Sequence, residues 1–387
     1  MNFKKSIWNI GFFNGFVKMF AYATSFFWAV YYNALGFSGV EIGLITAIFS
    51  ITGFVTILPS GFINDKIKSK NLITLALLLL ATQCFGISQF HTFPAIVLFT
   101  AIGGIGYNLY TTSMDSLFYK SMEKHDVTKR IATFQALNYL FLGAGVILGG
   151  KILNASENMT EIFKTLITIT GSGYAIFTIV SFILPKSITT NFEFIKYKSD
   201  ILNPKVLFFM LIMFLFAFHF GAENTSYGLF VNKTLGLSKE NAGLYMGFAI
   251  LSMGIASIFF SNLLKKLNVK TVLYTGLLLS GVGHIFMTTT SNPYISFGFR
   301  AMHEIGDAAM FVFLAFGISQ IFSKERVGGN ASVFTFIQII GGAVSSMIFG
   351  PLGARYGYDI PLVITGVTLL LSLLMIILFN KMVFQKD

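Results

Sequence analysis

Leu369-Leu370-Leu371-Ser372-Leu373-Leu374-Met375-Ile376-Ile377-Leu378 carries a single hydroxyl and no charge, and Leu72-Ile73-Thr74-Leu75-Ala76-Leu77-Leu78-Leu79-Leu80 reads the same way nearer the start of the chain. Neither run alternates apolar and polar positions, as a strand of a transmembrane barrel must. Each belongs to a stretch of about 20 mostly apolar residues, the length an α-helix needs to cross a bilayer. Working outward from these two gives twelve such stretches: 8–33, 39–62, 71–90, 93–119, 131–154, 162–184, 204–232, 238–262, 269–290, 293–321, 327–354 and 359–380. They use most of the chain and leave no room for a soluble domain. The expected fold class is an all-α membrane protein with 12 transmembrane helices.

Composition agrees. The 387 residues are 55% hydrophobic and 11% charged, with a mean hydropathy of +0.74. A soluble domain carries roughly 25% charged residues. A disordered chain needs low hydrophobicity and high charge. A disulfide-rich module is excluded by the single cysteine, Cys84. The net charge of +11 would suggest nucleic acid in a soluble protein. Here the basic residues lie between apolar segments, so they report orientation, and no nucleic-acid partner is expected. With twelve spans, one set of loops holds twenty Lys and Arg residues and the other set holds five, Lys151, Lys164, Lys233, Lys239 and Arg355. That asymmetry places both termini in the cytoplasm of a cell whose plasma (inner) membrane holds the chain. Lys4 and Lys5 before an apolar run resemble a signal peptide, but the run is too long and is interrupted by Lys18. It is read as a retained first helix.

The two halves repeat at an offset near 200. Leu35-Gly36-Phe37-Ser38 matches Leu235-Gly236-Leu237-Ser238, Gly43 matches Gly243, Asp65–Lys70 falls opposite Lys265–Lys270, and Ile105-Gly106 matches Ile305-Gly306. Repeats of this size mark transporters built from two related halves. The expected division is an N-terminal six-helix bundle over 1–185, a cytoplasmic linker over 186–203 and a C-terminal six-helix bundle over 204–387.

Gly61-Phe62-Ile63-Asn64-Asp65-Lys66-Ile67-Lys68-Ser69-Lys70, between the second and third segments, resembles the signature loop of the major facilitator superfamily, Gly-x-x-x-Asp-(Arg/Lys)-x-Gly-(Arg/Lys)-(Arg/Lys). Gly61, Asp65, Lys66 and Lys70 match, whereas Lys68 replaces the second glycine and Ser69 a basic residue. An Asp at such a junction can face the positive N-terminus of a neighbouring helix. The resemblance implies that this neighbour is the eleventh helix and that the contact latches an outward-open state. Ser323-Lys324-Glu325-Arg326-Val327-Gly328-Gly329 at the start of the eleventh segment, Lys129-Arg130 at the start of the fifth, and Gly350-Pro351-Leu352-Gly353 also look like the family. Gly145-Val146-Ile147-Leu148-Gly149-Gly150 resembles its antiporter motif Gly-Pro-x-x-Gly-Gly, with Val146 in the proline position; its glycines equally suit close helix packing. The resemblance covers the whole chain and implies the major facilitator fold of two pseudo-symmetric bundles, rocker-switch alternating access, and a cavity lined by the first, fourth, seventh and tenth helices.

Ionisable side chains inside a bilayer are costly and are functional candidates by default. Lys18, Asp115, Glu223, Arg300, Glu304 and Asp307 fall within the segments, and all six lie on those four. On the tenth segment Arg300 and Glu304 are four apart, as are His303 and Asp307, so these pairs share a helix face. The cluster starts about 10 Å from the end of its helix. His219 and Glu223 are also four apart, at about the same depth on the seventh. Three carboxylates and one guanidinium in such surroundings are not all charged at once. Glu223, Glu304, Asp307, Arg300, His303 and His219 are therefore the proton-coupling candidates, with Glu304 or Glu223 as carrier and Arg300 as the group that triggers release. The alternative is an ion-pair network that only holds two helices together.

The substrate-cavity candidates are Asn14, Lys18, Tyr22, Asn108, Thr112, Asp115 and Tyr227. Lys18 and Asp115 can pair with each other, or Lys18 can reach the membrane surface. Phe26, Phe27, Trp28, Tyr31 and Tyr32 crowd the outer half of the first segment, where Tyr and Trp suit an interfacial belt, and the abundant Phe suits lipid-facing bulk. No Walker loop, metal-site spacing of Cys or His, or Gly-x-Ser-x-Gly elbow is visible, so neither an ATP-driven pump nor an enzyme is expected, and neither a cofactor nor a metal. The expected function is secondary active transport of a small organic solute by a monomer, coupled to protons, with efflux of an amphipathic or cationic compound favoured over proton-coupled uptake of a sugar, nucleoside or amino acid.

Overall fold

The structure is a computed structural model that describes residues 7–25, 27–123, 125–191, 193–264 and 268–378. Lys4, Lys5, Phe26, Lys124, Lys265, Lys266, Lys381 and Lys386, which entered the reading of orientation, repeats and aromatics, lie outside the described residues. The helices are α1 (Ile7–Ser25), α2 (Trp28–Ala34), α3 (Gly39–Lys66), α4 (Ser69–Gln89), α5 (Phe93–Ser121), α6 (Val127–Asn154), α7 (Met159–Val180), α8 (Phe194–Ile201), α9 (Pro204–Ala217), α10 (His219–Ala222), α11 (Lys239–Leu263), α12 (Val269–Phe286), α13 (Pro293–Ile321), α14 (Val327–Tyr356) and α15 (Asp359–Leu378). Eleven described stretches are long and apolar enough to cross a membrane. The remaining segment is α1, whose 19 residues include Asn9, Asn14 and Lys18. These polar groups dilute its hydropathy, and α1 packs against α6 and α7 within the bundle.

The internal repeat is visible in the backbone. Gly36 and Gly236 both adopt positive φ, 90° and 66°, a conformation that costs glycine nothing. Two residues later the Ser38 and Ser238 hydroxyls cap α3 and α11, satisfying amides that a helix start leaves open. Ser38 also forms a reciprocal capping box with Glu41, and the hydrogen bonds it gives Glu41 hold that carboxyl below its ordinary value. Pro94, Pro204 and Pro293 occupy first-turn positions of α5, α9 and α13, where a missing N–H does no harm. The repeat extends into packing: Gly106 sits against Leu79 and Leu80 of α4, and Gly306 against Ser280 of α12.

Among the described residues, the two most extensive contacts between the first six segments and the last six are α6 on α11 and α3 on α14. Along one, α6 runs against α11, with Gly143 facing the Gly247 carbonyl and Gly150 facing Gly243. The same α6 presses on α1, where a side chain added at Gly145 or Gly149 would strike the carbonyl of Met19 or Ala23. The Gly145–Gly150 stretch thus serves close packing on both sides. The other contact is α3 on α14, where Gly61 lies on Ser332 and Phe54 stacks on Phe336 at 4.7 Å.

Several aromatic expectations are corrected. Tyr31 and Tyr32 are buried, with Tyr31 stacked on Phe163 at 4.6 Å, so neither forms an interfacial belt. Phe118, Phe163, Phe216, Phe230, Phe260 and Phe334 are among the largest fully buried side chains. Much of the Phe content is therefore core rather than lipid-facing surface, because close-packed helices need bulk between them. The first segment is interrupted after Ser25, and the seventh ends in two π turns, Glu223–Tyr227 and Phe230–Thr234. Such wide turns recur at functional sites, and Glu223 opens the first of them.

Candidate functional site

Glu223, at the start of the π turn, faces α13. Arg300 donates one terminal nitrogen to Glu223 Oε1 and the other to Glu304 Oε1, and its guanidinium lies 4.0 Å from the centre of the Tyr227 ring. His303 Nε2 stands 3.1 Å from the same Glu223 oxygen. Asp307 takes a 2.7 Å hydrogen bond from Ser280 Oγ and lies 3.1 Å from His219 Nε2. All six proton-coupling candidates therefore meet in one buried cluster; Arg300, Glu304, Asp307, His219 and His303 are each at most 5% exposed. Ion pairing compensates the cost of burying these charges.

The cluster holds one more ionisable residue than the sequence reading assigned. His284 of α12 is fully buried, stacks on His303 at 4.4 Å and points Nε2 at Glu223 Oε1, 3.9 Å away. Its place in an apolar span was the signal available. It lies on the ninth segment, outside the four that the resemblance assigned to the cavity. Ser280, on the same helix, was likewise not singled out.

The imidazoles share one arrangement. His303 Nδ1 is 2.8 Å from the Ser280 carbonyl, His219 Nδ1 bonds the Phe216 carbonyl, and His284 Nδ1 is 3.2 Å from Thr365 Oγ1. A carbonyl only accepts, so Nδ1 of His219 and of His303 carries the proton. Each Nε2 that faces a carboxylate then carries a second proton, accepts one from a protonated carboxyl, or shares a cation with it. Charge gives the same count. Three ionised carboxylates against one guanidinium leave two negative charges for protons or another cation to offset. The ligand atoms of His219, Glu223 and His303 lie within 4.8 Å of one another. Spacing along the chain suggested no metal site, because these donors come from different helices.

A cavity of about 220 Å³ lies beside the cluster, between α1, α5, α6, α13 and α14. Its wall includes Asn14, Lys18, Asp115, Gln135, Asn138 and Gln338. Phe311, another wall residue, packs on Phe216 and Phe220, which flank His219. An aromatic layer thus separates cavity from cluster. Of the substrate-cavity candidates, Asn14, Lys18 and Asp115 line this cavity. Lys18 donates to Tyr107 Oη at 3.3 Å and lies over its ring; no ion pair joins it to Asp115 among the described residues. Asn108 and Thr112 do not line this cavity. They bond the Gly104 and Asn108 carbonyls of their own helix, because the α5 face they occupy packs on α3 at Gly53. Tyr22 is outside the wall, and Tyr227 lies in the cluster beneath Arg300.

At the far end of α3, Asp65 is 1% exposed. It accepts from the Gly328 and Gly329 amides that open α14, at 3.1 and 2.7 Å, pairs with Lys120 at 2.8 Å and accepts from Tyr197 at 3.1 Å. The positive end of α14 and the Lys120 ammonium thus both meet the Asp65 side chain. Burial and the neighbouring Asp65 push the Tyr197 hydroxyl above its ordinary value, which keeps it a donor. Of the other latch candidates, Gly61 permits the α3–α14 approach, Lys70 reaches the Phe182 carbonyl, and Lys66 is the last residue of α3. Lys120 and Tyr197 were not foreseen. Nor was Asp200 of α8, which takes two hydrogen bonds from Arg326 and one from Asn330.

A membrane bundle of repeated halves, joined by an Asp-to-amide contact at one end and holding a buried ionic cluster, defines a carrier rather than a pore. The chain belongs to the Major Facilitator Superfamily, whose family model matches residues 8–267 and 209–385. It is 26% identical over 274 residues to the quinolone resistance protein NorA of Staphylococcus aureus (strain COL), covering 69% of each chain. It is 28% identical over 193 residues to the multidrug transporter protein MdtP of Bacillus subtilis (strain 168), covering 47% of this chain and 34% of that one. Among solved structures it resembles the human organic anion transporter MFSD10, with a TM-score of 0.76 at 13% identity, 97% of this chain and 100% of that one. It likewise resembles the transporter FucP in the outward conformation, with a TM-score of 0.75 at 13% identity, 100% of this chain and 99% of that one.

Proposed function

We propose that this chain exports amphipathic or cationic organic compounds across a bacterial inner membrane, in exchange for protons that the Glu223–Arg300–Glu304 cluster carries. The basic loops, including the Asp65 end, face the cytoplasm, so the Asp65 contacts close the cytoplasmic side while substrate leaves outward. The N-terminal half (1–185) and the C-terminal half (204–387) rock about the cavity between them. A single observation carries the coupling: Glu223 and Glu304 share Arg300, and three imidazoles turn Nε2 towards Glu223 or Asp307. With Glu223, Glu304 and Asp307 ionised against Arg300, the cluster is neutral with two added protons and carries two uncompensated negative charges without them. The relatives named for quinolone resistance and multidrug transport support efflux. So does the cavity, where Asp115 and aromatic rings offer a cation a counter-charge and apolar faces. The carboxamides of Asn14, Gln135, Asn138 and Gln338 favour a second reading, uptake of a small polar nutrient. Inside-out vesicles test the choice. An acid-inside gradient should drive uptake of a cationic fluorophore into vesicles containing the protein; uptake of sugars or amino acids down a proton gradient in right-side-out vesicles, without fluorophore transport, would favour the second reading.

A further inference from the structure

The geometry points to a second occupant of the buried cluster: one divalent cation of the zinc class, held by Nε2 of His219, His284 and His303 and by a carboxylate oxygen of Glu223. Three independent observations meet here. First, ligand atoms of His219, Glu223 and His303 already lie within 4.8 Å of one another. A tetrahedral zinc site with bonds of about 2.0–2.1 Å needs donors a little over 3 Å apart, so side-chain shifts of about an ångström close it. Second, His284 Nε2 is buried without a hydrogen-bond partner and faces Glu223. Third, each of the three imidazoles anchors Nδ1 on an oxygen outside the cluster: the Phe216 carbonyl, Thr365 Oγ1 or the Ser280 carbonyl. That outer anchoring is how metal-binding histidines are oriented. Imidazole nitrogens with one carboxylate suit zinc and its neighbours better than magnesium or calcium, which take oxygen donors.

Charge fits as well. Glu223, Glu304 and Asp307 against Arg300 leave two negative charges, which one divalent ion offsets as two protons would. On binding, Arg300 gives up Glu223 and keeps Glu304, while Asp307 releases His219 Nε2 and keeps Ser280. The five histidines of the chain sharpen the case, since three converge here while His91 and His125 are exposed. Binding of the ion is read without substrate or gradient, whichever ion drives transport.

The test uses the full-length protein in detergent, purified without a polyhistidine tag, stripped with chelator and titrated with Zn²⁺ by calorimetry. The expected result is one Zn²⁺ per chain, loss of saturable binding in His303→Gln and Glu223→Gln, and affinity weakened about tenfold or more in His284→Ala. A His91→Ala/His125→Ala double variant should bind like wild type. Wild-type protein loaded with Co²⁺ should show the strong visible absorption of a four-coordinate site, a readout that needs no variant to fold. Absence of saturable Zn²⁺ binding in wild type, binding that survives His303→Gln, or a weak octahedral Co²⁺ spectrum would each overturn the inference.

Discussion

His303 Nε2 stands 3.1 Å from Glu223 Oε1, and the same oxygen accepts from Arg300. One carboxylate oxygen thus joins the π turn of the seventh segment to two side chains of α13, and whatever neutralises it changes both contacts together. Glu223→Gln and Glu304→Gln keep an acceptor for Arg300 and remove a charge. Both should abolish proton-driven accumulation while leaving folded yield and solute exchange largely intact. Either variant still concentrating substrate would exclude that residue as the carrier.

Arg300 serves two carboxylates with two nitrogens of one plane. Lysine offers a single point charge and reaches only one of them well. Losing one charge-assisted hydrogen bond costs about 1.5–3 kcal/mol, so Arg300→Lys should slow coupled transport by about tenfold or more. Initial rates in proteoliposomes check this.

Asp65→Ala would leave Lys120 buried beside Tyr197 without its carboxylate. Breaking a buried pair in this way costs about 3–5 kcal/mol. The variant should melt at a clearly lower temperature in detergent, and Lys120→Ala in the same chain should recover part of the loss. Equal melting of Asp65→Ala and wild type would mean that the Asp65 contacts do not hold this end together.

A side chain at Gly143 would meet the Gly247 carbonyl and Leu251. Overpacking costs about 1–3 kcal/mol or more, so Gly143→Leu should lower the monodisperse yield in size-exclusion chromatography. Gly228→Ala, where nothing lies within 4 Å of the added carbon, should not.

Much of this architecture is legible in the sequence, for physical reasons that differ from place to place. The spans are legible because hydrocarbon demands apolar runs of helix length. Glu223, Arg300, Glu304 and Asp307 stand out because charge in such runs needs compensation, and the three- and four-residue spacing of Arg300, His303, Glu304 and Asp307 puts those four on one face of α13. The pairing of the halves shows in Gly36 and Gly236, where backbone conformation selects the residue. What stayed hidden depends on packing between distant elements. His284 joins the cluster across helices. Asn108 turns into the α3 interface, Lys18 bonds Tyr107, and Tyr31 is covered by Phe163 of α7. The π turn at Glu223 has no signature in apolar periodicity. Tyr197 and Asp200 reach Asp65 and Arg326 from a linker helix whose docking the sequence does not announce.

Proton flux is the most direct measurement of the coupling reading. Proteoliposomes containing wild type or Glu304→Gln, with a trapped pH dye, are offered cationic drugs, sugars, nucleosides and amino acids, and labelled-solute exchange is followed in parallel without a gradient. A cationic or amphipathic compound should move protons opposite to itself in wild type, and Glu304→Gln should exchange that compound without moving protons. Proton movement of equal size in the variant, or exchange in wild type with no proton movement for any solute, would contradict a proton carried by this cluster.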